Sequence, residues 1–99
     1  MKKQKVFISQ PMTGFDINEV KKQRQPVIDK LQEQGYEVLD SILEYKTKNN
    51  MWLLGKSIQI LSKADYIYFM KGFENSRGCR IEYEVSKRYD IPILETEDY

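Results

Sequence analysis

Four short runs of β-branched, aromatic and aliphatic residues recur along the 99-residue chain, and segments with helical spacing separate them. These runs, each of a length typical of a strand, are Lys5–Ser9, Tyr36–Leu39, Tyr66–Met70 and Ile91–Leu94. The resulting order β-α-β-α-β-α-β predicts a four-stranded parallel sheet with right-handed crossovers and helices on both faces. A chain of this length is expected to form one domain, residues 1–99, around one core.

The first predicted helix follows a turn that ends at Gly14. Val20, Val27 and Leu31 fall near one face of this helix, which predicts that this face packs on the sheet. Gly35 suits the position just beyond the helix C-terminus. Pro26 lies inside the helical segment, and because an interior proline costs roughly 3 kcal/mol, we expect a kink or a break there.

The second and third predicted helices begin at polar residues that can accept hydrogen bonds from free backbone N–H groups. A polar loop over residues 40–50 leads to Asn49 or Asn50 as the first cap, and Asn75 or Ser76 is the second. The apolar positions of the second helix recur at helical spacing: Leu54, Ile58 and Leu61. The inward face predicted for the third helix is Ile81, Val85 and Tyr89.

Composition excludes several classes of function. The chain has no histidine, which removes Ser-His-Asp and Cys-His catalysis and leaves no ordinary zinc site. Its net charge is +1, and its Lys and Arg residues are not clustered, which argues against nucleic-acid binding. No apolar stretch approaches the length of a membrane span. The single cysteine, Cys79, predicts a reducing, cytoplasmic compartment.

Two loops are predicted to meet at the carboxyl ends of neighbouring strands. They are residues 9–14, after the first strand, and residues 71–78, after the third. In a doubly wound sheet such loops flank the crevice where ligands bind. The last helix begins at this crevice, so its N-terminus favours a phosphate or another anion, and Gly78 has no side chain to obstruct it.

Glu82 is the main candidate for chemistry because it lies about one turn inside this last helix. It shares a helix face with Cys79 and Ser86, whose small side chains would let the carboxylate lean into the crevice. A carboxylate there can act as a nucleophile at a sugar C1, where the transition state is cationic. The alternative is an acid near a helix N-terminus that contributes ~0.3–1 kcal/mol of stability.

Other crevice residues also have two interpretations. The hydroxyls of Ser9, Thr13 and Ser76 can donate hydrogen bonds to a phosphate or a sugar, or can serve as turn and cap residues. Phe73 can stack on a base or belong to the core, and Trp52 can cover the site or pack inside.

Two motifs give the chain a family resemblance. Residues 9–14, SQPMTG, resemble the S-G-P-M-T-G opening of short nucleoside 2-deoxyribosyltransferase-like proteins. Residues 72–79, GFENSRGC, followed by Glu82, resemble their signature G-W-x-x-S-x-G-A-x-x-E. The resemblance spans nearly the whole chain and implies a flavodoxin-like fold. It also implies that Glu82 takes the deoxyribosyl group from a base, or hydrolyses the N-glycosidic bond of a deoxynucleoside monophosphate.

The resemblance further implies a small-molecule nucleoside or nucleotide ligand, no cofactor, no metal and a homo-oligomer. The residues expected to bind the substrate are Ser9, Gln10, Pro11, Met12, Lys71, Gly72, Phe73, Ser76 and Gly78.

Four positions depart from the family pattern. Gln10 replaces a glycine, Ser57 and Lys71 stand where relatives have aspartates, and Phe7 stands where transferases have a tyrosine. A glycosidase needs both a nucleophile and an acid, so these changes leave a second hypothesis open. Under that hypothesis the chain is a non-catalytic nucleotide-binding module, or an interaction protein, with a decayed catalytic site.

Overall fold

The computed structural model describes residues 2–12, 14–41 and 49–97. Thr13 and most of the predicted loop over residues 40–50 lie outside these ranges. The strands are β1 (Lys5–Ser9), β2 (Glu37–Val38), β3 (Tyr66–Phe69) and β4 (Ile93–Thr96). The helices are α1 (Ile17–Glu33), α2 (Asn50–Leu61) and α3 (Arg77–Arg88), with a short 3₁₀ turn at Phe73–Asn75.

The four strands form one parallel sheet in the order β2-β1-β3-β4. Ser9 at the end of β1 pairs in register with Phe69 at the end of β3. The chain leaves β1 toward one sheet edge and leaves β3 toward the other, so the topological switch point lies between these two strands. The predicted flavodoxin-like α/β architecture is confirmed.

Side chains of the central strands alternate between two apolar clusters, one on each face of the sheet. The cluster on the α1 face contains Val6, Ile8, Val27, Leu31, Tyr68 and Met70. The cluster on the opposite face contains Phe7, Leu61, Ile67, Phe69, Phe73 and Cys79. Because Leu61 belongs to α2 and Cys79 to α3, those two helices cover one face and α1 covers the other. The predicted three layers are therefore present.

The fourth strand begins two residues later than the sequence predicted, at Ile93 instead of Ile91. Pro92 has no N–H to contribute to a sheet, but its carbonyl oxygen accepts from the N–H of Ile67 at 3.1 Å. The N–H of Ile91 instead donates to the carbonyl of Ser86 at 2.8 Å, which joins this segment to the end of α3.

Helix α1 is not broken at Pro26, which lies inside a continuous helix. Buried residues on both sides of the proline, Val20 and Val27 among them, pack on the rest of the protein and offset the backbone hydrogen bond that proline cannot make. The helix ends as predicted, with Gly35 in the left-handed region at φ 93°.

Helix α3 buries a face shifted from the one predicted, since only Val85 of the predicted stripe is half-buried and packs against the core. Ile81 and Tyr89 are 37% and 77% exposed, whereas Cys79, Glu82 and Ser86 are buried. The prediction ranked positions by hydrophobicity, but the small Cys79 and Ser86 let the helix approach the sheet closely. As a result, the face that carries Glu82 is the one turned inward.

Candidate functional site

The two predicted loops lie side by side at the carboxyl ends of β1 and β3. The N–H of Met70 donates to the carbonyl of Ser9 at 3.0 Å. Farther along, a Cβ placed on Gly72 would lie 3.4 Å from Cγ of Pro11. Gly72 has φ 93°, a backbone conformation that glycine adopts without strain. The segments that follow β1 and β3 therefore form the two sides of one crevice at the switch point.

Glu82 reaches this strand end from α3, and its side chain is only 6% exposed. The Ser9 hydroxyl, 73 residues away in sequence, donates to Oε1 of Glu82 at 2.7 Å. The Ser57 hydroxyl, on α2, donates to Oε2 at 2.8 Å. Two hydroxyls from two different elements thus hold the carboxylate in one orientation between β1, α2 and α3.

The environment of Glu82 opposes its ionisation. Burial raises the pKa of the Glu82 carboxyl above its ordinary value, and the hydrogen bonds from Ser9 and Ser57 and the charge of Arg24 act in the opposite direction. Burial also raises the pKa of the neighbouring Cys79 thiol. Buried groups with perturbed pKa values are typical of functional sites, although structural groups share this property.

The raised pKa of Glu82 predicts a pH-dependent effect of Glu82→Gln on stability. The folded protein holds the proton of the Glu82 carboxyl more tightly than the unfolded chain does. In an unfolded chain the pKa of a glutamate is about 4.3. Protonated Glu82 therefore contributes its full stabilisation of the folded state below the unfolded pKa, and this contribution is lost as the pH rises through the folded pKa. Glutamine does not titrate, so we expect the melting temperature of the variant, relative to the native protein, to increase from pH 5 to pH 8.

The matched control for this measurement is Glu84→Gln, on the same helix. The side chain of Glu84 is 58% exposed and pairs with Arg88, so its replacement should give no comparable trend. Melting curves followed by circular dichroism at several pH values test the difference. A Glu82→Gln effect that stays flat or falls with pH contradicts the prediction.

Arg24 is a buried component of this region that the sequence did not reveal. It is 1% exposed and lies on the α1 side of the sheet, beneath the crevice. Its pKa is lowered to about 10 by burial, against the opposing influence of Asp40 and Glu82. Its spacing from Val20, Val27 and Leu31 matches the inward face of α1, and this spacing is the signal in the sequence from which it could have been found.

Two of the predicted binding residues have side chains turned away from the crevice. Gln10 is 5% exposed; its Nε2 donates to the carbonyl of Val20 at 3.0 Å, and its Oε1 accepts from Arg24. Phe73 is 9% exposed, with its ring centroid 4.7 Å from that of Phe69. The amide of Gln10 is therefore engaged with α1, and Phe73 belongs to the core.

The two predicted residues at the start of α3 have local roles. The Ser76 hydroxyl accepts from the N–H of Cys79 at 3.3 Å, which makes Ser76 the N-cap. A Cβ on Gly78 would lie 3.9 Å from Cδ1 of Leu54, so this glycine lies close to α2. Neither residue needs a ligand to explain its type.

The remaining predicted residues lie along the crevice with more open surroundings. Pro11 and Met12 are half-buried and follow β1, while Lys71 is exposed and follows β3. The backbone N–H of Lys71 donates to Oε1 of Glu97 at 2.9 Å, which fixes the start of the second loop. Trp52 is 42% exposed, and Lys56 Nζ lies 5.3 Å from its ring centroid.

A cavity of about 310 Å³ lies on the α1 face, away from Glu82. It is lined by Lys30, Leu31, Gln34, Tyr36, Tyr68, Leu94 and Glu95, none of which belongs to the crevice. Within residues 2–12, 14–41 and 49–97, no cluster of three or more potential metal ligands occurs. No helix in the described part of the chain is long and apolar enough to cross a bilayer.

The fold and the site together define a doubly wound parallel α/β domain with a buried, hydroxyl-bonded carboxylate at its switch point. Residues 4–95 match the family DUF4406, a domain of unknown function. The chain belongs to this family. Comparisons with curated proteins and with solved structures gave no significant match.

Proposed function

We propose that the protein binds a nucleotide or deoxynucleoside in the crevice and cleaves or transfers at its N-glycosidic bond through Glu82. The observation that carries the proposal is the carboxylate itself, buried and held by Ser9 and Ser57 at the strand end. Ligands bind outside the carboxyl ends of the strands in open α/β sheets. The motif resemblance supports the choice of ligand class.

In this reaction a Glu82 oxygen forms a bond to the sugar C1 while the bond from C1 to the base nitrogen breaks. The base leaves with the electron pair and takes a proton from solvent. Water, or a second base, then attacks C1 and releases the carboxylate. Ser9 and Ser57 contribute by keeping both oxygens of the nucleophile in a fixed orientation.

A second candidate is a non-catalytic module that binds a nucleotide without turning it over. The observation that favours it is the enclosure of Glu82, since both oxygens are engaged and little of the side chain is exposed. Ser57 also contributes a hydroxyl where relatives have a carboxylate, and Phe7 is buried in the core and has no polar group. Both features leave the crevice with fewer ionisable or polar groups that could take part in catalysis.

The experiment that tests the catalytic proposal is incubation with deoxynucleosides and their monophosphates, followed by chromatography for free base. We expect base release, and we expect Glu82→Gln to reduce its rate by at least about 10⁴-fold, the scale of losing a covalent nucleophile. Glu84→Gln is the control, because Glu84 is exposed on the same helix. Release that survives Glu82→Gln contradicts the role of Glu82.

Thermal shifts distinguish the second candidate. A ligand that binds only the native state stabilises it, by about 2.7 kcal/mol at one hundred times its dissociation constant. Stabilisation by nucleotides without base release supports the binding module. Absence of both stabilisation and release across a nucleotide panel contradicts both candidates.

We also propose that the protein acts as a homo-oligomer in the cytoplasm. Helix α2 supports the first part: Met51 is 80% exposed and Trp52 is 42% exposed, and its other apolar side chains are mostly half-buried. A helix that is apolar around much of its circumference is normally covered. The single cysteine, unpaired and buried, supports a reducing compartment. Sedimentation as a monomer at micromolar concentration contradicts the oligomer.

A further inference from the structure

Arg24 uses all three of its guanidinium nitrogens inside the protein. Nε donates to Oε1 of Gln10 at 2.9 Å, Nη1 to the Ser41 hydroxyl at 2.9 Å, and Nη2 to the carbonyl of Ile8 at 3.1 Å. A buried cation is costly unless such bonds compensate its desolvation. The three hydrogen bonds of the guanidinium therefore join α1 to the end of β1 and to Ser41, which follows β2.

Two of these bonds lie on either side of Ser9. Arg24 holds the carbonyl of Ile8 before it and the side chain of Gln10 after it, and Gln10 is itself fixed by its bond to the carbonyl of Val20. Successive residues of a strand point to opposite faces, so the hydroxyl of Ser9 lies on the other face, where it donates to Glu82. The guanidinium and the carboxylate thus act on the same strand end from opposite sides.

The charges around Glu82 come from few elements in the described part of the chain. Arg24 on α1 is the cation that acts on it, while β1 and α2 present the hydroxyls of Ser9 and Ser57. On α3 its titratable neighbour is the Cys79 thiol, and Asp40, beyond β2, acts on Arg24. Arg24 therefore supplies a positive charge that opposes part of the burial penalty on an ionised Glu82, a smaller contribution than the hydrogen bonds from Ser9 and Ser57.

We propose that Arg24 is the positioning residue of the crevice: by holding the Ile8 carbonyl and the Gln10 side chain from the α1 face, it fixes the Ser9 hydroxyl against the Glu82 carboxylate. The inference deepens the proposed function and rests on it only for the use made of the ionised carboxylate. Arg24 itself does not touch the crevice surface, because it is buried on the opposite face of the sheet.

The test is a ¹³C NMR titration of the Glu82 carboxyl, assigned by its loss in Glu82→Gln. In Arg24→Gln the titration midpoint should move to higher pH, because the compensating charge is gone. Arg24→Lys keeps the charge but cannot make the same three hydrogen bonds, so the midpoint should move up by a smaller amount. Arg88→Gln, which removes one positive charge from an exposed site on α3, should leave the midpoint unchanged.

Gln10→Ala provides a second route if Arg24→Gln does not fold. It retains the Arg24 charge and removes the contact of Nε with the residue after Ser9, so a small upward shift is expected. A Glu82 midpoint that is unchanged in every folded Arg24 and Gln10 variant overturns the inference. The titration needs no nucleotide, so a shift without base release supports the role of Arg24 while contradicting the proposed catalysis.

Discussion

Replacing Arg24 by leucine is expected to lower the free energy of unfolding by about 3–5 kcal/mol, because three buried acceptors each lose a donor at a cost of roughly 1–3 kcal/mol. The substitution removes the donors that Arg24 provides to the Gln10 amide oxygen, the Ser41 hydroxyl and the Ile8 carbonyl, the last of which also accepts from the Ser41 hydroxyl at 3.4 Å. It also leaves Glu82 buried without its cation. Urea unfolding followed by circular dichroism measures the loss.

Arg88→Leu is the control for this substitution. The Arg88 side chain is 79% exposed and pairs with Glu84 one helical turn away, so its loss should change stability by no more than about 0.5 kcal/mol. A comparable loss in the two variants would show that Arg24 has no special structural role. A loss below about 1 kcal/mol for Arg24→Leu would contradict the network's contribution.

Replacing Phe73 by alanine is expected to destabilise the protein by about 3–5 kcal/mol, as for other large aromatic residues in a core. Phe73 is 9% exposed and its ring lies 4.7 Å from the ring of Phe69 and 6.5 Å from that of Tyr83, centroid to centroid. Removing it opens a cavity beneath the second crevice loop. Urea unfolding measures the effect. The control is Tyr89→Ala, because Tyr89 is 77% exposed and its removal opens no cavity.

Phe73→Leu separates core packing from stacking on a base. Leucine keeps much of the apolar volume but loses the aromatic face, so a purely structural Phe73 predicts nearly unchanged nucleotide affinity. Titration calorimetry with a nucleotide that stabilises the native protein gives the comparison. A marked loss of affinity in a well-folded Phe73→Leu protein would restore the stacking interpretation.

Much of the candidate site was predictable from local pattern. The apolar run before Lys71, the glycine turn and the helix that follows placed Glu82 near a strand end. The prediction that Glu82 shares a face with Cys79 and Ser86 is confirmed, because helical spacing alone determines that relation. The inward face predicted for α3 was correct only at Val85, because hydrophobicity ranked the large Ile81 and Tyr89 above smaller residues that pack more closely.

Ser57 and Arg24 show what local pattern leaves out. Ser57 stood out in the sequence only as a departure from an aspartate, yet its hydroxyl holds one oxygen of Glu82 from 25 residues away. Arg24 lies on the inward face of α1 by spacing, but a charged residue there normally predicts exposure. Its burial depends on three acceptors that other parts of the chain bring to it.

The sequence by itself determined the order of strands and helices, and with it the parallel sheet and the strand end at which Glu82 lies. These features follow from periodicity, turn residues and caps, which act over a few neighbouring residues. Only the tertiary structure decided the partners of that carboxylate, the burial of Arg24 and Phe73, and the face that α3 turns inward. Those outcomes depend on packing and on charge compensation between segments far apart in sequence, where close approach of small side chains outweighs the hydrophobicity of any one residue.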